Sequence, residues 1–144
     1  MTNGYSRKAS AIYQQNSVRG GIEDADAHQL VGMLLDGAIS KIIQASGSLA
    51  RNDMAAKGRS ITAAVAIVGE LRDSLDHKVD RALSQRLDSL YEYVSRRLLF
   101  AQLNNDTAAL DESAKLLTPI RDGWKGMRES YLSSRPKAAA AVAS

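Results

Sequence analysis

The sequence predicts an all-α fold: an antiparallel up-and-down bundle of four long helices, with an N-terminal arm packed on the bundle and a disordered C-terminal tail. Three observations predict it. Apolar residues recur at alternating four- and three-residue spacings through four long segments, the period that lines them up on one face of a helix. Hydrophobic residues make up 44% of the chain but aromatics only 5%, and the 144 residues include just two prolines, a balance that favours helix over strand. Short polar breaks separate the four segments.

In the first segment Val31, Leu35, Ala38, Ile42, Ala45 and Leu49 follow one seam, with Asp24 or Asp26 placed to cap its start. The second carries Ile61, Val65, Val68, Leu71 and Leu75, with Ala64 beside them and Asn52 or Asp53 ahead. The third runs Leu83, Leu87, Leu90, Val94, Leu98 and Ala101 behind Asp80. The fourth, behind Asn105 or Asp106, runs Leu116, Ile120, Trp124, Met127 and Tyr131, with Leu110, Ala114 and Leu117 alongside. Each cap side chain accepts from first-turn amides that have no partner within the helix. Helices of about 25 residues span roughly 37 Å, and connections of a few residues turn each one back on its predecessor. The expected organisation is an arm over 1–23, a bundle domain over 24–131 and a tail over 132–144. That tail follows a proline with low-complexity alanine.

Charge is distributed unevenly. Residues 1–19 hold Arg7, Lys8 and Arg19 without an acid, and residues 128–144 hold Arg128, Arg135 and Lys137 against Glu129. Removing these from the 19 bases and 16 acids of the chain leaves 13 bases and 15 acids over 20–127, a net charge of −2. A nucleic-acid binder would carry a basic stripe with aromatics on its folded body. None is expected here. The absence of cysteine rules out disulfides and thiolate metal sites. No apolar signal core and no run of about 18 apolar residues is present, so a soluble cytoplasmic protein without membrane insertion is expected.

Residues for chemistry are sparse. His28 and His77 have no second His or Cys at ligand spacing, so each is expected to be satisfied or exposed. Glu23, Asp24 and Asp26 sit where a helix dipole favours negative charge. The Glu-x-x-His pairs of a di-metal bundle and the Walker spacing are both missing. No enzyme, catalytic residue, metal or cofactor is expected.

Apolar side chains, by contrast, are in surplus. Off the seams lie Met33, Leu34, Ile39 and Ile43 in the first segment, Ile67 in the second, and Tyr91, Tyr93, Leu99, Phe100 and Leu103 in the third. Some widen the core stripe. The remainder would make an exposed surface of the kind that binds another chain. Gly32, Gly37, Gly47, Gly58 and Gly69, inside the first two helices, fit either close helix approach or a shallow groove.

With these residues in view, the sequence resembles the flagellin-specific export chaperones of bacterial flagella, the FliS family. The resemblance starts at Ala9 and "AIYQQNSV" and continues through "LVGMLLDGAI". It goes on through Ala45, Asp53, Lys57, Ile61, Ala64, Ile67, Val68, Glu70, Leu71, Leu75 and Asp76, then "LDSLYEYVSRRLLFAQLN" and Trp124. Two departures stand out: Leu35 where the family usually has Tyr, and "HKVD" where it commonly has a glycine-containing turn. The resemblance implies a cytoplasmic chaperone that holds the disordered C-terminal segment of flagellin, prevents its premature polymerisation and assists delivery to the flagellar export gate. It leaves open a co-chaperone, an anti-sigma factor or a second copy of the chain as further partners.

The residues expected to bind the client or cap its groove are Ile12, Tyr13, Val18, Ile61, Ile67, Val68, Leu71, Tyr91 and Tyr93. In the family the N-terminal segment packs back on the bundle, so Ile12 and Tyr13 are expected to cover the empty groove, with Gly20-Gly21 as a hinge. A permanent cap is the alternative. The rival function is a homodimeric structural or regulatory bundle, such as a phosphotransfer-like domain, for which His28 is the one candidate histidine.

Overall fold

The computed structural model describes residues 25–134. Four long helices account for most of them: α1 (Ala27–Ala50), α2 (Met54–Asp73), α3 (Arg81–Asn104) and α4 (Thr107–Gly126). Beyond Met127, residues 128–134 are again helical, and no strand occurs among the described residues. Helix α1 packs on α2 and α4, and α3 closes the ring by packing on the same two. The architecture is an all-helical bundle. The expected arm and most of the expected tail lie outside the described residues.

An aspartate starts every helix. Asp26, Asp53, Asp80 and Asp106 accept from the backbone N–H groups of Gln29, Ala56, Leu83 and Ala109, each three residues on. At Asp26 the Gln29 side chain returns a bond to the cap's own N–H, so two orphan amides are satisfied at once. Asn52 and Asn105, read from sequence as alternative caps, instead end the preceding helices. Their φ values of 59° and 50° are left-handed, a conformation asparagine tolerates better than most residues. Around Asn52, the Asp53 N–H reaches the Ser48 carbonyl at 2.9 Å and the Asn52 N–H reaches that of Leu49 at 3.0 Å. This 6→1 and 5→2 pair closes α1 as a Schellman motif, and the next residue opens α2.

The longer α2–α3 connection shows why it needs no glycine. No residue from 74 to 80 has a positive φ. Asp76 organises the turn instead, its side chain accepting from the Lys78 N–H and its carbonyl from the Val79 N–H and the Ser84 hydroxyl.

The core joins Leu35, Ala38, Ile42 and Ala45 of α1 to Ile61, Ala64, Val68 and Leu71 of α2, as their seams predict. Two seams hold in part, with Leu87 of α3 and Ala114, Leu116, Ile120 and Trp124 of α4 partly buried against the core. In α3 the buried column is Ser84, Tyr91 and Leu98 beside Val94 and Ala101, while Leu83 is 47% exposed. In α4 the buried positions are Ala109, Leu110, Ser113 and Leu117, and Met127 is exposed. The cause is the same in both: a serine occupies a core position because a nearby carbonyl satisfies it. Ser84 donates to the Asp76 carbonyl at 3.0 Å and Ser113 to that of Ala109 at 2.8 Å. A hydroxyl bonded in this way avoids the penalty of an unpaired buried polar group.

Candidate functional site

The start of α1 and the end of α4 are joined by a polar and aromatic clasp. The Trp124 indole N–H donates to the His28 carbonyl at 2.8 Å, and His28 Nε2 lies 2.8 Å from the Trp124 carbonyl. A carbonyl can only accept, so Nε2 carries the proton. The imidazole stacks on Trp124 at 4.8 Å between centroids and 10° between planes, with Tyr131 at 5.2 Å on it as well. Arg128 completes the clasp with two bonds to the Asp26 carboxylate, at 2.8 and 2.7 Å. Gly32 faces Trp124, where an added Cβ would meet the indole at 3.7 Å, an ordinary van der Waals contact, so close helix approach does not require this glycine. His28 is therefore a satisfied, buried histidine. A phosphotransfer role, which requires an exposed ring, does not fit it.

At the opposite end of the bundle, the start of α2 meets the end of α3. Lys57, 6% exposed, donates from Nζ to the Gln102 carbonyl at 3.0 Å and to Asn105 Oδ1 at 2.6 Å. The contact ties a buried cation to the very residue whose left-handed backbone ends α3.

Between these ends, α3 presents the chemistry that remains. Its inner column holds Tyr91, Val94 and Leu98. Leu99 and Leu103, four residues apart on another face, are 51% and 83% exposed, and Phe100 beside them is 42% exposed. The Arg97 guanidinium lies over the Phe100 ring, 4.9 Å from its centroid. Tyr93 is half-buried, its hydroxyl donating to Glu112 Oε2 at 2.7 Å while Arg97 Nε donates to Oε1 at 2.7 Å. The Tyr93 hydroxyl, and after it Arg97, hold the Glu112 carboxyl below its usual range. Burial pushes the Tyr91 phenol up to about 12.

The structure describes six of the expected groove residues. Ile61, Val68 and Leu71 are almost wholly buried, and Ile67 and Tyr91 nearly so; Tyr93 is engaged with α4. These five belong to the packed core, and the reason is their place on the inner faces of α2 and α3. Ile12, Tyr13 and Val18 lie outside the described residues. Of the apolar surplus, Leu34, Ile39, Ile67 and Tyr91 are buried, whereas Ile43, Leu99, Phe100 and Leu103 stay exposed. The exposed set was visible in the sequence as off-seam positions, but nothing there separated it from the residues that widen the core. Among the described residues no helix is long and apolar enough to cross a membrane.

Comparison with known proteins places the chain in a family. The family Flagellar protein FliS matches residues 8–131. The chain is 39% identical over 123 residues to the flagellar secretion chaperone FliSB of Pseudomonas aeruginosa, covering 85% of this chain and 98% of the relative. It is 40% identical over 130 residues to the flagellar secretion chaperone FliS of Escherichia coli, covering 90% and 93% of the two chains. Its identity to the Salmonella typhimurium FliS chaperone is 36% over 134 residues, covering 91% and 99%. The chain belongs to the FliS family of flagellar secretion chaperones, whose role is not enzymatic.

Proposed function

We propose that this chain is a cytoplasmic export chaperone that binds the disordered C-terminal segment of flagellin, prevents its premature polymerisation and assists its delivery to the flagellar export gate. The observation that carries the reading is the exposed apolar face near the end of α3, where Leu99, Phe100 and Leu103 stand together in solvent on successive turns. An unfolded amphipathic segment gains affinity by laying apolar anchors on such a face. Ordering that segment offsets part of the gain, which keeps release possible.

In this reading the bundle is an antiparallel up-and-down one, supported by contacts that pair the start of each helix with the end of its neighbour. Ile61, Ile67, Val68, Leu71 and Tyr91 hold α2 and α3 together beneath the client surface, and Tyr93 braces it through Glu112. Ile12, Tyr13 and Val18 of the arm cap the surface when no client is bound. A co-chaperone or anti-sigma factor is a further partner of the same kind, an apolar segment seeking the same cover.

Titration calorimetry with a flagellin C-terminal peptide tests the reading, using the full chain and a form lacking residues 1–17. Saturable binding to the full chain is expected, held or strengthened in the shortened form if the arm competes with the client. A sharp loss would make the arm part of the site. A stable homodimer by light scattering that ignores the peptide would favour the structural reading instead.

A further inference from the structure

A cleft of about 540 Å³ opens between the end of α1 and the start of α2, lined in part by Lys41, Ile43, Gly47, Arg51, Arg59 and Ser60. None of its lining residues comes from α3, so it is distinct from the apolar face described above. Its charge is concentrated. Between residues 37 and 69 the sequence holds four bases, Lys41, Arg51, Lys57 and Arg59, and one acid, Asp53, within a body of slight negative charge. Lys57 is turned away into its contact with α3, and Asp53 is engaged as the cap of α2. The other three cations face the cleft, and none of them makes an ion pair among the described residues. Arg51 donates to the Ser48 hydroxyl at 3.4 Å, whereas Arg72, Arg97 and Arg128 each hold a carboxylate.

We propose that this cleft docks an acidic, extended peptide segment of a partner protein, with carboxylates paired to Lys41, Arg51 and Arg59 and an apolar side chain seated against Ile43. The lining favours a peptide over other anions. The cations are spread over two helices rather than converging on one point, as they would around a phosphate. Lys41 and Arg51, the residue that caps α1, are ten residues apart, about 15 Å along the helix axis, and their long side chains can shorten that span. Carboxylates two or four residues apart in an extended segment are separated by roughly 7 or 13 Å and point the same way, which fits. Ile43, 60% exposed between these charges, offers an apolar contact that a free anion would leave unused. A Cβ at Gly47 would stand 3.2 Å from the Arg51 guanidinium, which would have to shift slightly. No aromatic side chain lines the cleft to stack on nucleic-acid bases.

The test uses the full chain and a fluorescein-labelled peptide, Ser-Glu-Ser-Leu-Ser-Glu-Ser-Leu-Ser-Glu, read by anisotropy at low and at physiological salt. The Glu peptide is expected to bind about tenfold or more tighter than its all-Gln counterpart, weakening as salt is added. Arg51→Glu with Arg59→Glu should abolish that preference. Arg81→Glu with Arg86→Glu, the same charge change at the start of α3, should leave it intact. Both double variants alter exposed side chains, and an unchanged thermal melt confirms the fold. Equal binding of the Gln peptide, or equal effects of the two double variants, overturns the proposal. So does tighter binding, through the same arginines, to vesicles containing phosphatidylserine or to a single-stranded oligothymidine.

Discussion

At the scale of single residues, buried polar side chains in this protein work as fasteners between helices. Lys57 is the clearest: its ammonium sits under cover with two acceptors from the end of α3. Hydrogen bonds to charged groups contribute about 1.5 to 3 kcal/mol, so Lys57→Ala is expected to cost roughly 2 to 3 kcal/mol by urea unfolding. Tyr91 gives a pH signature. Its folded-state pKa, pushed up to about 12 by burial, stands above the ordinary value of 10.0. The neutral phenol therefore stabilises the fold fully below pH 10, and this contribution is lost as pH rises from 10 through 12. Two units correspond to about 2.7 kcal/mol at most. Alkaline titration of stability should show wild type falling more steeply than Tyr91→Phe across that window. Parallel curves would mean that the phenol is not shielded. Composition gave no sign of either role, because a lysine or tyrosine at a helical position reads the same whether it faces solvent or a partner helix.

At the scale of elements, the helix starts were the most legible feature, since a side-chain acceptor followed by an apolar period has one physical use. The choice between Asn52 and Asp53, or between Asn105 and Asp106, turned on backbone conformation that a residue pattern does not contain. Seam positions were legible wherever the buried residue is apolar and were misread at Ser84 and Ser113, whose burial depends on carbonyls contributed by the local fold. Pro119 lies inside α4, where it cannot donate to the carbonyl four residues back. Interior proline costs about 3 kcal/mol, partly offset by up to about 1 kcal/mol from a less flexible unfolded chain. Pro119 is exposed, and Pro119→Ala is accordingly expected to raise stability by about 2 kcal/mol in urea unfolding. An unchanged midpoint would show that α4 already accommodates the ring without loss.

At the scale of the whole molecule, two surfaces of different character remain on a closed bundle. One end is clasped by His28, Trp124, Arg128 and Asp26, which fixes α4 against α1 and leaves α3 free to present Leu99, Phe100 and Leu103. The likeness to the FliS chaperones was readable from the order of motifs along the chain. The location of the apolar face was not, because the same off-seam leucines would have been core residues in a bundle with a fifth helix over α3. The family name thus carried the function further than the residues carried the site.

The most direct measurement is calorimetric titration of a flagellin C-terminal peptide into wild type and into the Leu99→Glu, Leu103→Glu double variant. Both side chains are exposed, so thermal unfolding should be unaltered. Wild type should bind, and the variant should bind about tenfold or more weakly, since two desolvated apolar anchors would be replaced by charges. Equal affinities, with both proteins folded, would contradict the assignment of the client surface to α3.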